Sequence, residues 1–438
     1  MQLFFHKPQA RCRKEELKLS KVVKSNYTAE AVAGFTHRTA MEEAARCLLC
    51  HDAPCSKGCP AGTDPAKFIR SIRFRNVKGA AETIRENNIL GGTCARVCPY
   101  DKLCEEACSR CGIDKPIEIG KLQRYAIEQE EVFGMKTLEA PDKKVGNVAC
   151  VGAGPASLAC AAELAKAGYN VTVIEREAKA GGVLTYGIVP SRLPQAVVDH
   201  DIAQVEGLGV EFKFNTEAKA SDLAEYDAVF VGAGLWGANL PQIDGINLDG
   251  VYAAVDFLKE ARTKGEKFAP GKKVLIVGGG DVAVDCAVTA KLLGAEDVKI
   301  VYRRTLEEAP GNMSEFHYAL SLGIGITTGM APAAINGAGK VESVDFAGFR
   351  DDAAKLTLSA DTIVFATGQT PEDMGKIAAV KLAAKGTIEA TEAGVTAVEN
   401  VFAAGDIVNG GKTVVEAVAA GKEAAASMIA YLEKKGVK

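Results

Sequence analysis

The spacing of the cysteines in the first quarter of the chain constrains it more than any other feature. One run reads Cys47-x2-Cys50-x4-Cys55-x3-Cys59-Pro60. A second reads Cys94-x3-Cys98-Pro99 and then Cys104-x3-Cys108, with Cys111 close behind. Thiolates separated by such small gaps can converge on an iron–sulfur cube, and a proline after the last cysteine is typical of these loops. Two clusters need about eight ligands, which matches the supply. A disulfide scaffold is disfavoured, because nothing at the N-terminus resembles a secretion signal and reducing compartments oppose disulfides. Structural zinc usually draws on two C-x2-C pairs. Before Cys108 only Cys47 and Cys50 have that form. Cys12 stands apart, while Cys150, Cys160 and Cys286 lie beside nucleotide loops and read as core fillers.

With 438 residues, 47% of them hydrophobic, the chain has material for two or three domains. A net charge of −4 argues against bulk electrostatic binding of nucleic acid. No apolar run reaches the ~20 residues of a membrane helix, and Leu3-Phe4-Phe5 is too short for a signal segment. A soluble, cytoplasmic protein is expected. Helical periodicity runs through Glu42–Leu49, Pro65–Asn87 and Ile117–Phe133, which suggests a helical segment wrapped around the clusters. A polar linker at 137–144 follows. Strand–glycine loop–helix units then begin at Asn147 and Lys272, and alternating strands and helices imply parallel sheets. Residues 1–37 carry seven basic against three acidic residues, which reads as a solvated face or a partner contact.

The segment Val148-Ala-Cys-Val-Gly-Ala-Gly-Pro-Ala-Ser-Leu is a buried strand entering a helix. Gly152 permits the tight turn and Gly154 lets backbone approach a pyrophosphate; Pro155 and Ala156 open the helix, and Ser157 stands where Gly or Ala is usual. Glu175 ends the next strand, placed to bond ribose hydroxyls, and Gly181-Gly182 follows. Asn400-Val-Phe-Ala-Ala-Gly405-Asp406 suits a flavin's ribityl and phosphate region. Asp361 to Gly368 and Asp227 to Gly234 read as connecting strands, and together these point to FAD in the first site. The second unit carries Gly278, Gly279, Gly280, Asp281 and Val282, and its next strand ends at Tyr302-Arg303-Arg304. Arginines there favour the 2′-phosphate of NADPH. Glu307 and Glu308 lie close enough to offset that field, so NADPH and NADH both stay open.

Taken together, the chain resembles the flavin-containing, NAD(P)H-oxidising subunits related to the glutamate synthase small subunit and the N-terminal half of dihydropyrimidine dehydrogenase. Among them it looks most like the bacterial dihydropyrimidine dehydrogenase flavin subunits. Arg46-Cys-Leu-Leu-Cys-His-Asp-Ala-Pro-Cys, Thr63-Asp-Pro-Ala-Lys-Phe-Ile-Arg-Ser-Ile, Gly79-Ala-Ala-Glu-Thr-Ile-Arg-Glu-Asn-Asn and Gly278-Gly-Gly-Asp-Val-Ala carry the likeness, which covers nearly everything after about residue 38. The resemblance implies one 4Fe–4S cluster on Cys47, Cys50, Cys55 and Cys108. It implies a second on Cys59, Cys98, Cys104 and, in the dihydropyrimidine branch, Gln123. Cys94 and Cys111 are then spare, and Cys111 competes with Gln123. For FAD it implies Gly152, Gly154, Glu175, Gly182, Leu184, Arg192, Gly405, Asp406, Thr413 and Val414, with Gly368 on the connecting strand. The stretch Gly187-Ile-Val-Pro-Ser-Arg-Leu-Pro departs from the family's pattern at Val189 and Ser191. Close bacterial relatives include NADH users, which pulls against the arginine argument.

The implied architecture is α/β: a helical double-cluster ferredoxin-like domain followed by two Rossmann-type domains. The cluster domain spans 1–145, the FAD domain 146–253 and 367–438, and the NAD(P) domain 254–366. The crossings fall at Tyr252–Leu258 and Ala366–Gly368, where rotation would bring the two rings together. The implied cofactors are FAD, two 4Fe–4S clusters and NADPH or NADH. Hydride transfer needs no side-chain acid or base, so no catalytic residue is named. No C-x-x-C follows the second glycine loop, which excludes a thioredoxin reductase-type relay. Pyrimidine reduction and glutamate synthesis use an FMN-bearing barrel of ~250 residues, for which no residues remain. An FMN-containing partner in a hetero-oligomer is therefore expected. The alternatives are a glutamate synthase small subunit, an NAD(P)H:ferredoxin oxidoreductase-type module, or a non-enzymatic redox sensor or scaffold.

Overall fold

The structure, a computed structural model, describes residues 26–142, 144–351 and 353–437. The helices His37–Arg46, Pro65–Arg73, Val77–Asn87 and Ile119–Val132 pack around Phe68, Ile69, Ile72, Ile84, Leu122 and Tyr125, while Gly91–Val97 adds Cys94 and Val97 to the core that also holds Val148 and Leu158. The stretch expected to be helical over Glu42–Leu49 begins earlier. Thr36 and Thr39 form a capping box ahead of His37, and the helix stops at Arg46. Cys47 is already extended and Leu49 has φ +53°, so the chain opens into a thiol-bearing loop. The periodic stretch 65–87 is two helices. Arg75 turns the chain at φ +61°, and the Asn76 side chain accepts the Gly79 N–H at 2.9 Å to start the second. The short helix Gly91–Val97, which carries Cys94, shows no periodicity that sequence reading could catch.

Five parallel strands form the first sheet, in the order Val401–Ala403, Ala228–Val231, Val145–Val151, Tyr169–Ile174 and Glu211–Lys213. Helices cover both faces, so Val148 to Val151 and Ala228 to Val231 are buried without alternation. The helix Pro155–Lys166 leaves the first glycine loop and lies against Val414–Lys434. Their backbones approach so closely that a Cβ on Gly421 would stand 2.2 Å from the Ala156 carbonyl oxygen.

The second sheet is also parallel, ordered Val251–Ala253, Thr362–Phe365, Lys273–Val277, Asp297–Tyr302 and Gly325–Thr328. An antiparallel sheet of Met330–Asn336, Ser343–Gly348 and Lys355–Ser359 follows it, which the simple strand–helix alternation did not anticipate. Val251–Ala253 pairs inside the second sheet, so the first crossing lies before residue 253. It falls where Gly237–Ala238 pairs antiparallel with Gln369–Thr370. Tyr27 is buried in the second core, and the Ala31 N–H donates to Ser191 O at 2.7 Å. The basic residues of the 1–37 stretch all precede Ser25 and lie outside the described residues. Among the described residues no helix is long and apolar enough to cross a membrane.

Alanine normally stabilises a helix interior over glycine by about 1 kcal/mol. At residue 421 the backbone contact reverses the sign, because forced overpacking costs about 1–3 kcal/mol. Gly421→Ala is expected to lower the melting temperature and the flavin retained on purification, both readable by thermal denaturation and flavin absorbance. An unchanged or higher melting temperature would contradict the close packing of these two helices.

Candidate functional site

Val145–Val151 delivers the chain to Gly152, whose φ is +87° and whose Cβ, if present, would sit 3.0 Å from Gly232 O. Gly154 precedes the helix Pro155–Lys166 with no side-chain cap, so the first N–H groups stay available to an anion. Gly182 adopts φ +54°, and a Cβ there would meet Gly154 Cα at 3.0 Å. A Cβ on Gly405 (φ +78°) would stand 2.8 Å from Ala156 Cβ. Asp406 accepts the Lys412 N–H at 3.0 Å, and burial pushes its carboxyl up from the ordinary range. Thr413 caps Val414–Lys434 in a capping box with Glu416. Two long helices thus begin at one cleft.

Glu175 is buried, and burial raises its carboxyl. Its oxygens accept the N–H groups of Ala153 at 2.6 Å and Glu177 at 2.9 Å, so it shapes the glycine loop as well as facing the cleft. Ser157 and Leu184 do not line the cleft. The Ser157 hydroxyl is buried under Gly232, where the close helix–strand approach needs a small residue, and the Leu184 side chain is part of the core.

In the second unit a Cβ on Gly278 would lie 2.5 Å from Ala366 O, and one on Gly279 would strike the Tyr302 ring at 2.5 Å. Gly280 precedes the helix Asp281–Leu292. Asp281 accepts the Asn312 N–H at 2.6 Å and holds the loop that overhangs the glycines. Arg303 lies 5.3 Å over the Phe349 ring. Glu308 pairs with Arg350 at 2.6 Å and caps Thr305, so its charge is matched away from Arg303 and Arg304.

A continuous cavity of about 4030 Å³ reaches both glycine loops. Val282, Arg192, Arg303, Arg304, Gly368, Asp406, Thr413 and Val414 line it. Cys98, Pro99 and Tyr100 line it too, so the cluster domain contributes a wall. Arg192, which resemblance assigns to the flavin, reaches across to the nucleotide domain. Its Nη2 pairs with Asp285 Oδ2 at 2.6 Å, while burial pushes Asp285 up to about 7 against that attraction. Arg192 Nε and Ser191 Oγ are buried without a hydrogen-bond partner at the cavity wall. Orphaned donors and two uncapped phosphate-type loops fit FAD and a second dinucleotide.

The thiols fall into two neighbourhoods. Cys47 feels Cys108 and Cys50, and Cys55 feels Cys108 and Cys47; burial first, then these neighbours, pushes Cys55 up to about 11. Burial, then Glu105, Cys59 and, from the other group, Cys55 raise Cys104, while the Cys94 hydrogen bond, burial, and the neighbours Cys104 and Cys59 raise Cys98, so Cys104 borders both groups. Crowded buried thiols resist ionisation unless a cation compensates them, as cluster iron does. Cys59, Cys94, Cys98, Cys104 and Gln123 line one small cavity with Thr63, whose hydroxyl is buried without a partner. Cys94 therefore stands among the ligand candidates, although resemblance leaves it spare. Gln123 Nε2 donates to Gly91 O at 2.7 Å, and Cys111 lies outside that cavity with its Sγ against Glu105 O at 3.4 Å.

A family model described as dihydropyrimidine dehydrogenase domain II, 4Fe-4S cluster, matches residues 24–134, and one described as pyridine nucleotide-disulphide oxidoreductase matches residues 146–421. The NAD-dependent dihydropyrimidine dehydrogenase subunit PreT of Escherichia coli (strain K12) is 47% identical over 414 residues, covering 93% of this chain and 98% of that protein. The glutamate synthase (NADPH) small chain of the same strain is 33% identical over 458 residues, covering 96% of each. The chain belongs to this family of iron–sulfur flavoprotein oxidoreductases. Its fold is shared with Mycobacterium tuberculosis FprA in complex with NADPH, at a TM-score of 0.58 and 19% identity over 67% of this chain and 86% of that one. FAD, 4Fe–4S centres and NAD(P)H are the cofactors of this family member.

Two predictions test the placement. Cys50→Ser and Cys98→Ser should each remove one cluster, halving iron from about eight to about four atoms per chain. Iron and acid-labile sulfide assays read this, and loss of all iron or none in both variants would break the two-group reading. Replacing Arg303 and Arg304 with serine should lower kcat/KM for NADPH by about tenfold or more, the scale of lost charge-assisted bonds to a phosphate. NADH turnover should change little. Equal effects on both nucleotides would remove these arginines from 2′-phosphate recognition.

Proposed function

We propose that this chain is the electron-input subunit of a dihydropyrimidine dehydrogenase, feeding an FMN-containing partner that reduces uracil or thymine. The observation that carries the electron-input part is the shared cavity. Both glycine loops open into it, and so does the Cys98–Tyr100 wall of the cluster domain. A nicotinamide, a flavin and a thiol-held centre can therefore meet in one protein-lined space.

Bound flavin accepts a hydride and releases electrons singly, and the iron–sulfur clusters store them one at a time. The protein binds, orients and shields. Gly152, Gly154 and Gly182 leave backbone room for one pyrophosphate, and Gly278 and Gly280 leave it for the other. Arg303 and Arg304, just past the strand Asp297–Tyr302, line the same cavity. Arg192 ties the flavin domain to the nucleotide helix through Asp285. Ile188, Val189, Leu258 and Val277 give the cavity apolar lining. The Cys98 group, which lines the cavity, and the Cys50 group, which does not, would hold the clusters that take up the two electrons of NAD(P)H one at a time.

The pyrimidine assignment rests on the 47% identical PreT relative and on Gln123 in the cavity of the second thiol group. A glutamate synthase role is the second reading, supported by the 33% identical small chain. A cytoplasmic location accompanies either reading, since reactive thiols stay reduced there.

The test is anaerobic purification with whatever subunit accompanies the chain, followed by NADH and NADPH oxidation with uracil or thymine. Pyrimidine-dependent turnover that requires an FMN-bearing companion is the expected result. Dye reduction without pyrimidine turnover would overturn the substrate assignment, and failure to bleach flavin with either nucleotide would overturn electron input itself.

A further inference from the structure

Asp201 is fully buried on the flavin-domain helix Gln195–Gly207, yet its carboxylate serves the cluster domain. Its two oxygens accept the backbone N–H groups of Gly92 at 3.2 Å and Thr93 at 2.7 Å. Those amides open the helix Gly91–Val97, which carries Cys94 and ends at Cys98. That helix has no side-chain cap of its own. Arg85, fully buried, locks the carboxylate from the other side: Nη1 donates to Asp201 Oδ1 at 2.6 Å, and Nε and Nη2 donate to Glu130 Oε2 at 2.9 and 2.7 Å. The Gly91-Gly92 pair makes the approach possible. A Cβ on Gly91 would strike Ile84 at 2.5 Å, and one on Gly92 would stand 3.0 Å from Asp201 Oδ1 and 3.2 Å from Val197.

We infer that Asp201 is a positioning residue for electron transfer, fixing the thiol-bearing helix Gly91–Val97 against the flavin domain and so setting the separation between the flavin cavity and the Cys98 group. The inference rests on the electron-input reading above. Overall, one NAD(P)H and two oxidised clusters give NAD(P)+, one proton released to solvent and two clusters each reduced by one electron. Single-electron transfer falls steeply with distance. Asp201 does not line the cavity into which both glycine loops open, so its loss leaves the nucleotide-binding residues in place. Displacement of the helix should therefore slow the second event and spare the first.

The test uses holoenzyme under anaerobic stopped flow with NADH or NADPH, with cluster reduction followed by freeze-quench electron paramagnetic resonance. In Asp201→Asn, flavin bleaching should keep its wild-type rate while cluster reduction slows on the order of tenfold, the scale of a sub-ångström to ångström misplacement. Hydrogen exchange at residues 91–98 should rise, a readout independent of turnover. If Asn cannot be folded against Arg85, the triple Arg85→Met/Glu130→Met/Asp201→Leu variant removes all three buried charges while keeping the site packed. It should show the same split between the two rates. Cluster reduction at the wild-type rate would overturn the inference. So would a parallel loss of flavin bleaching and cluster content, which marks a merely structural residue. A wild-type protein whose flavin no nucleotide bleaches would instead sink the electron-input reading.

Discussion

A guanidinium with no exposure to water must find partners for its donors, and Arg85 finds them on two other helices and at the Ile89 carbonyl. Glu130 comes from Ile119–Val132 and Asp201 from Gln195–Gly207, while Arg85 itself sits on Val77–Asn87. Burial raises the Glu130 carboxyl, but hydrogen bonds from His200 and Arg85 and the Arg85 charge win and hold it down at about 2. Such a group is weak support for net stability, because desolvating three charges costs several kcal/mol per ion. Its value is geometric. Removing one partner strands the others in an apolar core, so the cluster domain has one low-energy seat on the flavin domain.

That seat explains what the sequence could and could not show. Gly152, Gly154, Gly278 and Gly280 were legible because a dinucleotide loop demands a fixed local pattern, and each glycine proves to face backbone or ring atoms that a Cβ would meet or a ligand must approach. The cysteine runs were legible for the same reason. Ser157 and Leu184 belong to the same motifs but face inward, since motif membership says nothing about which side of a helix a residue presents. Asp201 was invisible: its partners are 108, 109 and 116 positions away, and a lone Asp in a helical stretch carries no local signature.

Boundaries were missed for related reasons. Val251–Ala253 looked like the end of the flavin domain because it follows that domain in sequence. It joins the second sheet because Thr362–Phe365 needs a parallel neighbour on its open edge. The antiparallel strands 330–359 were missed because the alternation of strands with helices stops there, and period-two burial such as that of Ser343–Gly348 is easily lost in a Gly- and Ala-rich stretch.

The same contacts bear on rotation between the two nucleotide domains. The crossing itself is thin, two antiparallel residues on each side. The helix Ala254–Lys264 nevertheless reaches back from the second domain to the first. Lys259 pairs with Glu177 at 2.6 Å, and Arg262 donates to Thr185 O and Gln195 Oε1, each at 2.6 Å. Arg192 and Asp285 add a buried pair on another element. A swing about the crossing would have to break all of these together and separate Arg192 from Asp285. In the arrangement these contacts accompany, both glycine loops and the Cys98 wall open into one cavity. In this fold the thin crossing supplies connectivity, and the side chains that bridge it supply the geometry.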